Sequence, residues 1–379
     1  MKNPVIKIFL ALLTLQAIIP AEISSGQAAV PVWDGPYLFI DNNKLNAISI
    51  RNGVVKEMEV TSENYKQLSR RYDLHFSYSD IWKKYHTEPE KHSFEGEGSI
   101  AIMSDLHGEY DNYIRVLKRT GILDRDLNWS FGNGHLVILG DIFDRGPMVT
   151  EILWHLFGLE IQASAAGGKV HILLGNHEYM ILTGDNKFID NKYRHVEQIT
   201  GKSYSDLFLS NSVLGNWLRK MPVALKINNM LFTHAGISTE LVREKTDIDQ
   251  MNRIYRDKLT GRPHDGSDLS SGSTKNTQLG EMLLFRGYFT DDLFSESKLD
   301  SILTFYGVDR IIVGHTTLSE VKSMYNNKLI GIDAGLMYYH TGEILLYENS
   351  AFYRVLYIGK RITIFDSDPD FTIQKEIIL

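Results

Sequence analysis

Cysteine is absent from this chain of 379 residues. Disulfides, cysteine nucleophiles, thiolate metal ligands and lipid attachment at cysteine are therefore excluded, and any metal chemistry is confined to nitrogen and oxygen donors. Clustered lysines and arginines are missing too, and the formal charge is −7 at pH 7. Nucleic acid is thereby excluded as the main partner, because phosphate backbones need such clusters. A small anion held locally by metal ions and a few arginines is not excluded. There is no Gly-x-Ser-x-Gly elbow, internal repeat, heptad run or low-complexity tract.

No apolar run is long enough to span a bilayer comfortably: the stretch from Ile8 toward Ala21 is interrupted by Gln16 and Pro20. Lys2 and Lys7 precede it and small residues follow, with a cleavage point after Ala28. This pattern predicts an export signal over residues 1–28, against the alternatives of a membrane anchor or a buried helix. Its removal takes a net +1 from the chain and leaves −8. No stable membrane anchor is then expected, and an exported chain without cysteine suits the periplasm of a bacterium.

The apolar fraction of 43% suits one main α/β domain with additions. Residues 30–95 read as a β-rich lead-in followed by helix, with strand-like runs at Tyr37–Ile40, Leu45–Ile50 and Val54–Val60 and turn signals between them. From residue 96 to 379 the pattern becomes strand, polar loop, helix. Ile100–Met103 ends at Asp105, Leu136–Leu139 at Asp141 and Val170–Leu174 at Asn176, while Leu231–Phe232 ends at His234 and Ile311–Val313 at His315. Strand ends that each deliver a polar residue predict a buried sheet with its functional loops along one edge. Two stretches near 182–221 and 240–280 read as cap-like segments over that edge.

The delivered residues form a coherent donor set. Asp105 and His107, two apart in an extended loop, can chelate one ion from the same side. Asp141 can bridge two ions, Asn176 can bind the second through its amide oxygen, and His234 and His315 complete that shell. Mixed carboxylate, amide and imidazole donors suit two divalent or trivalent ions of Mn, Fe or Zn better than an all-oxygen Mg or Ca cage. Such a pair activates water and clamps the attacking and leaving oxygens of in-line displacement at phosphorus. His177 is the candidate general acid, with Asp144 placed to orient it. Arg145 suits non-bridging phosphate oxygens, and Glu178 suits support of the ligands.

The ordered set of Ser104-Asp105-Leu106-His107-Gly108, Gly140-Asp141-Ile142-Phe143-Asp144-Arg145-Gly146, Gly175-Asn176-His177-Glu178, Thr233-His234-Ala235-Gly236 and Gly314-His315-Thr316 resembles the calcineurin-like metallophosphoesterase superfamily. Within it the chain is similar to the phosphoprotein phosphatase branch, and Arg286-Gly287-Tyr288 resembles a segment of the bacterial Shewanella-like protein phosphatases. The resemblance implies a sandwich of two mixed β-sheets flanked by helices. It also implies Asp105, His107 and Asp141 on one metal, Asp141, Asn176, His234 and His315 on the other, and His177 with Asp144 as the proton donor pair. Arg145 and Arg286 would then hold phosphate. The expected activity is hydrolysis of phosphomonoesters, on phosphoprotein, phosphotyrosine included, or on small phosphoesters. A phosphodiesterase or nucleotide hydrolase with the same ions is the alternative, and a silent phospho-ligand binder a further one. His135, His155, His171, His195 and His340 have no matched spacing and read as ordinary histidines; Tyr338 and Tyr339 could line the pocket near Asp333-Ala334-Gly335, with aromatic packing the preferred reading.

Overall fold

The computed structural model describes residues 32–89, 91–96, 98–261, 282–339 and 342–364. The expected signal over 1–28 and the later part of the second cap-like segment lie outside them. Among the described residues, no helix is long and apolar enough to cross a membrane.

Two six-stranded mixed sheets face each other, as the resemblance implies. From edge to edge the first runs Arg361–Thr363, Ala351–Leu356, Glu343–Glu348, Ile100–Met103, His135–Ile138, Lys169–Ile172. The second runs Lys322–Met324, Leu329–Gly331, Arg310–Val313, Met230–Thr233, Ala224–Ile227, Ser93–Phe94. Parallel pairing of Ile100–Met103 with His135–Ile138, and of that strand with Lys169–Ile172, brings their C-terminal ends to one edge. Arg310–Val313 pairs in parallel with Met230–Thr233 and does the same in the second sheet.

The short apolar runs become strands because both faces are covered, which removes any need for polar alternation. Ile100, Ile102, Val137, Leu139 and Leu173 of the first sheet pack on Leu225, Phe232, Ile312 and Ile330 of the second. The intervening Ala101, Met103, Leu136 and Ile138 face the other way, into the larger core under the helices. Burial of this kind contributes about 25 cal/mol for each Å² of apolar surface removed from water.

The lead-in forms a three-stranded antiparallel sheet of Asp34–Asp41, Lys44–Arg51 and Val54–Val60. Its Tyr37, Leu38 and Leu45 are buried in the larger core, beside the helix Val149–Ala165. Ser93–Phe94 then crosses to pair with Lys226 and Ile227 at the edge of the second sheet. The helix Val149–Ala165 begins just after Pro147, whose missing N–H is harmless there.

Candidate metal centre

Asp105, His107, Asp141, Arg145, Asn176, His177, Arg286 and His315 line one pocket of about 340 Å³, while Asp144, Glu178 and His234 are fully buried. Asp105, Asp141 and Asn176 descend from the first sheet, and His234 and His315 from the second. The single sheet edge expected from the strand pattern is thus two edges, and the ligands meet across the gap between the sheets.

The loops carrying them are tightly constrained. Asp105, His107, Asp141, Asp144, Arg145 and His315 all have φ between 40° and 70°. Non-glycine residues rarely adopt that region, at a cost of about 1–3 kcal/mol each, so surrounding contacts must hold them. Glu178 supplies part of that hold. Its fully buried carboxylate accepts from the backbone N–H groups of Asp141, Ile142, Phe143 and Gly175. Glycine is required at 175, where a Cβ would lie 2.2 Å from Asp141 Oδ1, and at 314, where it would lie 1.9 Å from Ser104 Oγ.

Asp141 is the hub. Its Oδ1 accepts from the His177 backbone N–H at 3.0 Å, which leaves Oδ2 facing Nε2 of His234, His107 and His177 at 3.3, 3.8 and 3.9 Å. His107 donates Nδ1–H to the Phe143 carbonyl at 2.7 Å, and His234 donates Nδ1–H to the Leu139 carbonyl at 2.7 Å. Those bonds fix the tautomers and turn Nε2 of each ring toward Asp141, as metal-binding histidines require. His234 Nε2 also meets Asn176 Oδ1 at 3.0 Å.

The residues fit a pair of cations on this geometry. The donor atoms of His107, Asp141 and His177, and those of Asp141, His234 and His315, lie within 4.8 Å of one another. His315 Nε2 is buried with no hydrogen-bond partner, an orphan that a cation would satisfy. Asp105 belongs to neither triplet. Its Oδ2 accepts from Ser104 Oγ and from the His315 backbone N–H.

Electrostatics point the same way. Burial, then Asp333 and Asp141, pushes the Asp105 carboxyl well above the usual range, a repulsion that a bound cation relieves. Burial opposes the Asp141 carboxylate, yet the imidazoles of His234, His177 and His107 hold it well below the usual range. His107 is lowered to about 3, mainly by burial, so its imidazole is neutral and able to ligate. His234, despite burial, is pushed up to about 9 by Asp141, whose negative charge would equally attract a cation.

His177 differs from the ligands. Its Nδ1 pairs with Asp144 Oδ2 at 2.5 Å, leaving Nε2 toward the pocket. Burial lowers the imidazole, but Asp141 and Asp144 overcome this and raise it above the ordinary histidine value. The charged form of His177 is therefore favoured, as an acid requires. Arg145 and Arg286 both line the pocket.

Three further residues belong here. Asp333 is buried near Asp105, with Oδ2 accepting from Thr317 Oγ1 at 2.7 Å and Oδ1 from the Gly335 N–H at 3.0 Å. Phe188 lines the mouth, half-exposed, with its ring 5.6 Å from that of His177 and its carbonyl accepting from Arg145 N–H at 3.0 Å. Tyr338 takes the pocket-lining role, the alternative to packing, and accepts a hydrogen bond from Arg145. His135, His155, His171, His195 and His340 read in sequence as ordinary. His155 and His171 are buried away from this pocket, and His340 lies outside the described residues.

Comparison with known proteins agrees. A crystal structure of a cold-active protein-tyrosine phosphatase from a psychrophilic Shewanella species superposes with a TM-score of 0.76 at 32% identity, covering 88% of this chain and 99% of that one. Shewanella-like protein phosphatase 1 of Plasmodium berghei is 27% identical over 63% of this chain and 67% of its own length. Shewanella-like protein phosphatase 2 of Arabidopsis thaliana is 23% identical over 64% and 72%. Residues 98–317, more than half of the chain, match the calcineurin-like phosphoesterase family, whose members use divalent metal ions. With the fold, the donor set and this match in agreement, the chain belongs to the calcineurin-like phosphoesterase family and is a phosphatase of the metallophosphoesterase kind.

Proposed function

We propose that the protein hydrolyses phosphomonoesters with two metal ions, one held by Asp105, His107 and Asp141 and the other by Asp141, Asn176, His234 and His315. The carrying observation is the convergence of three imidazole Nε2 atoms on the single oxygen Asp141 Oδ2. When bound, two such ions withdraw electrons from phosphoryl oxygens and bring the pKa of water from about 16 toward about 7.

The chain's own groups account for the rest. Water gives up one proton to solvent and its oxygen forms a bond to phosphorus as the P–O ester bond breaks in line; the leaving oxygen takes that electron pair together with a proton from His177 Nε2, which solvent then restores. Asp144 stabilises the imidazolium through Nδ1 and fixes the ring. Arg145 and Arg286 bind and orient the phosphoryl oxygens, which carry most charge in a terminal phosphate. That charge supports monoesters ahead of diesters and nucleotides.

The rim supports an aryl ester such as phosphotyrosine. Phe188, Leu284, Met337 and Tyr338 surround the polar floor, and Phe188 and Leu284 are exposed. A flat ring gains apolar contact there that a serine phosphate does not. The similar Shewanella protein is a protein-tyrosine phosphatase, which accords with this choice.

The test is metal analysis of the purified full chain, with and without chelator, alongside rates on phosphotyrosine, phosphoserine and diester substrates. The expectation is chelator-sensitive hydrolysis, fastest on phosphotyrosine. Fewer than one metal per chain with no chelator effect would overturn metal catalysis. A clear diester preference would reverse the substrate assignment.

A further inference from the structure

Arg145 stands in the left-handed region, φ 67°, on a loop that leads directly into the helix Val149–Ala165. That helix has no side-chain cap of its own at Met148. The hydroxyl of Tyr193 does the capping from another helix, Asn191–Thr200. It accepts from Val149 N–H at 2.7 Å and Thr150 N–H at 3.3 Å, and donates to the Pro147 carbonyl at 2.9 Å. One fully buried phenol thus ties down both sides of the bend that follows Arg145.

Tyr193 is itself anchored by the N-terminal sheet. The neighbouring Lys192 pairs with Asp34 Oδ1 at 2.9 Å and Glu151 Oε1 at 3.1 Å, and Tyr37 donates to Asp34 Oδ2. Tyr193 packs against Tyr204 with ring centroids 4.4 Å apart, and Phe208 joins Tyr37 to Phe143 of the catalytic loop through ring contacts of 5.9 and 4.9 Å. None of these groups reaches the pocket.

We infer that Tyr193 is a positioning residue for Arg145, held in place by Asp34 of the N-terminal sheet, so that the lead-in sets the geometry of phosphate binding. The inference rests on Arg145 being a phosphate ligand, as proposed above. Without the hydroxyl, Pro147 and Val149 lose their shared partner and the bend relaxes, carrying the guanidinium off its target; displacements of about 1 Å at such groups cost up to about 10²-fold.

The experiment is a double-mutant cycle in the metal-loaded full chain with para-nitrophenyl phosphate, measuring kcat/KM, inhibition by inorganic phosphate, metal content and melting temperature. Tyr193→Phe is expected to lower kcat/KM about tenfold and weaken phosphate inhibition similarly, yet to change either by less than about twofold when Arg145→Ala is already present. Equal losses in both backgrounds, or a lower melting temperature with unchanged kinetics, would overturn the inference alone. Arg145→Ala without effect on kcat/KM or phosphate inhibition would overturn the phosphate role of Arg145 and the inference with it. Asp34→Asn enters the same cycle, with the same expected outcome, should Tyr193→Phe not fold.

Discussion

The carbonyl of Leu139 accepts a hydrogen bond from His234 Nδ1 at 2.7 Å, and this bond crosses from the first β-sheet to the second. It presents His234 Nε2 to Asp141, two residues beyond that carbonyl. Replacing His234 by Ala should reduce the metal content of the purified protein by about one ion per chain and lower kcat/KM by at least about 10²-fold. Inductively coupled plasma mass spectrometry together with steady-state rates checks both parts, and full metal content with normal rates would contradict the assignment.

His177→Asn should leave the metal content unchanged and lower kcat by about 10²–10⁴-fold on an alkyl phosphate. The loss should be smaller on para-nitrophenyl phosphate, whose leaving phenolate is stable without a proton. Asp144→Asn should follow the same order of substrates. An identical loss on both esters would argue that His177 acts on the metals or the fold instead of the leaving group.

Glu178→Gln replaces a carboxylate that accepts from four backbone N–H groups by an amide whose NH₂ end accepts none. Two donors then face a donor. The folded state should lose about 2 kcal/mol or more, read from urea denaturation, and activity should fall with it because Asp141 moves. Wild-type stability in this variant would show that the loop relaxes at no cost.

Stability should also depend on pH through His155. Its Nε2–H donates to the Leu127 carbonyl at 3.1 Å, and in the neutral ring its Nδ1 accepts from the Tyr113 hydroxyl at 2.8 Å. Burial, the leading cause, lowers it to about 4, below the ordinary value of 6.5. The unfolded chain therefore binds the proton first. This contribution to stability is whole above pH 6.5 and is lost as pH falls from 6.5 toward 4, by about 3 kcal/mol at most. His155→Gln should flatten the slope of unfolding free energy against pH in that window by up to one proton, and an unchanged slope would refute the assignment. His171, also lowered well below its ordinary value by burial, supplies a slope that remains in the variant.

The ligand types were legible in the sequence because they are local chemistry. A continuous run such as Ile100–Met103 predicts a buried strand, and the polar residue that ends it predicts a turn into a functional loop. The support from Glu178, only three residues beyond Gly175, was within reach of the same reading. The bond between Tyr338 and Arg145 was not, because it spans 193 residues of chain. Tyr193 reads in sequence as one more aromatic on a helical face, and nothing near it in the chain marks it as the cap of a helix 44 residues earlier.

By itself the sequence determined which atoms are on offer: carboxylate, amide and imidazole donors without any thiol, at the ends of strands long enough only to be buried. Tertiary structure decided that three of those strands lie in one sheet and two in the other. Strand pairing and sheet packing depend on contacts between distant segments, and only they bring His107, His234 and His177 around one oxygen of Asp141. The N-terminal sheet gained its place in the same way, since Asp34 meets Lys192 only once both are buried against the helix that follows Arg145.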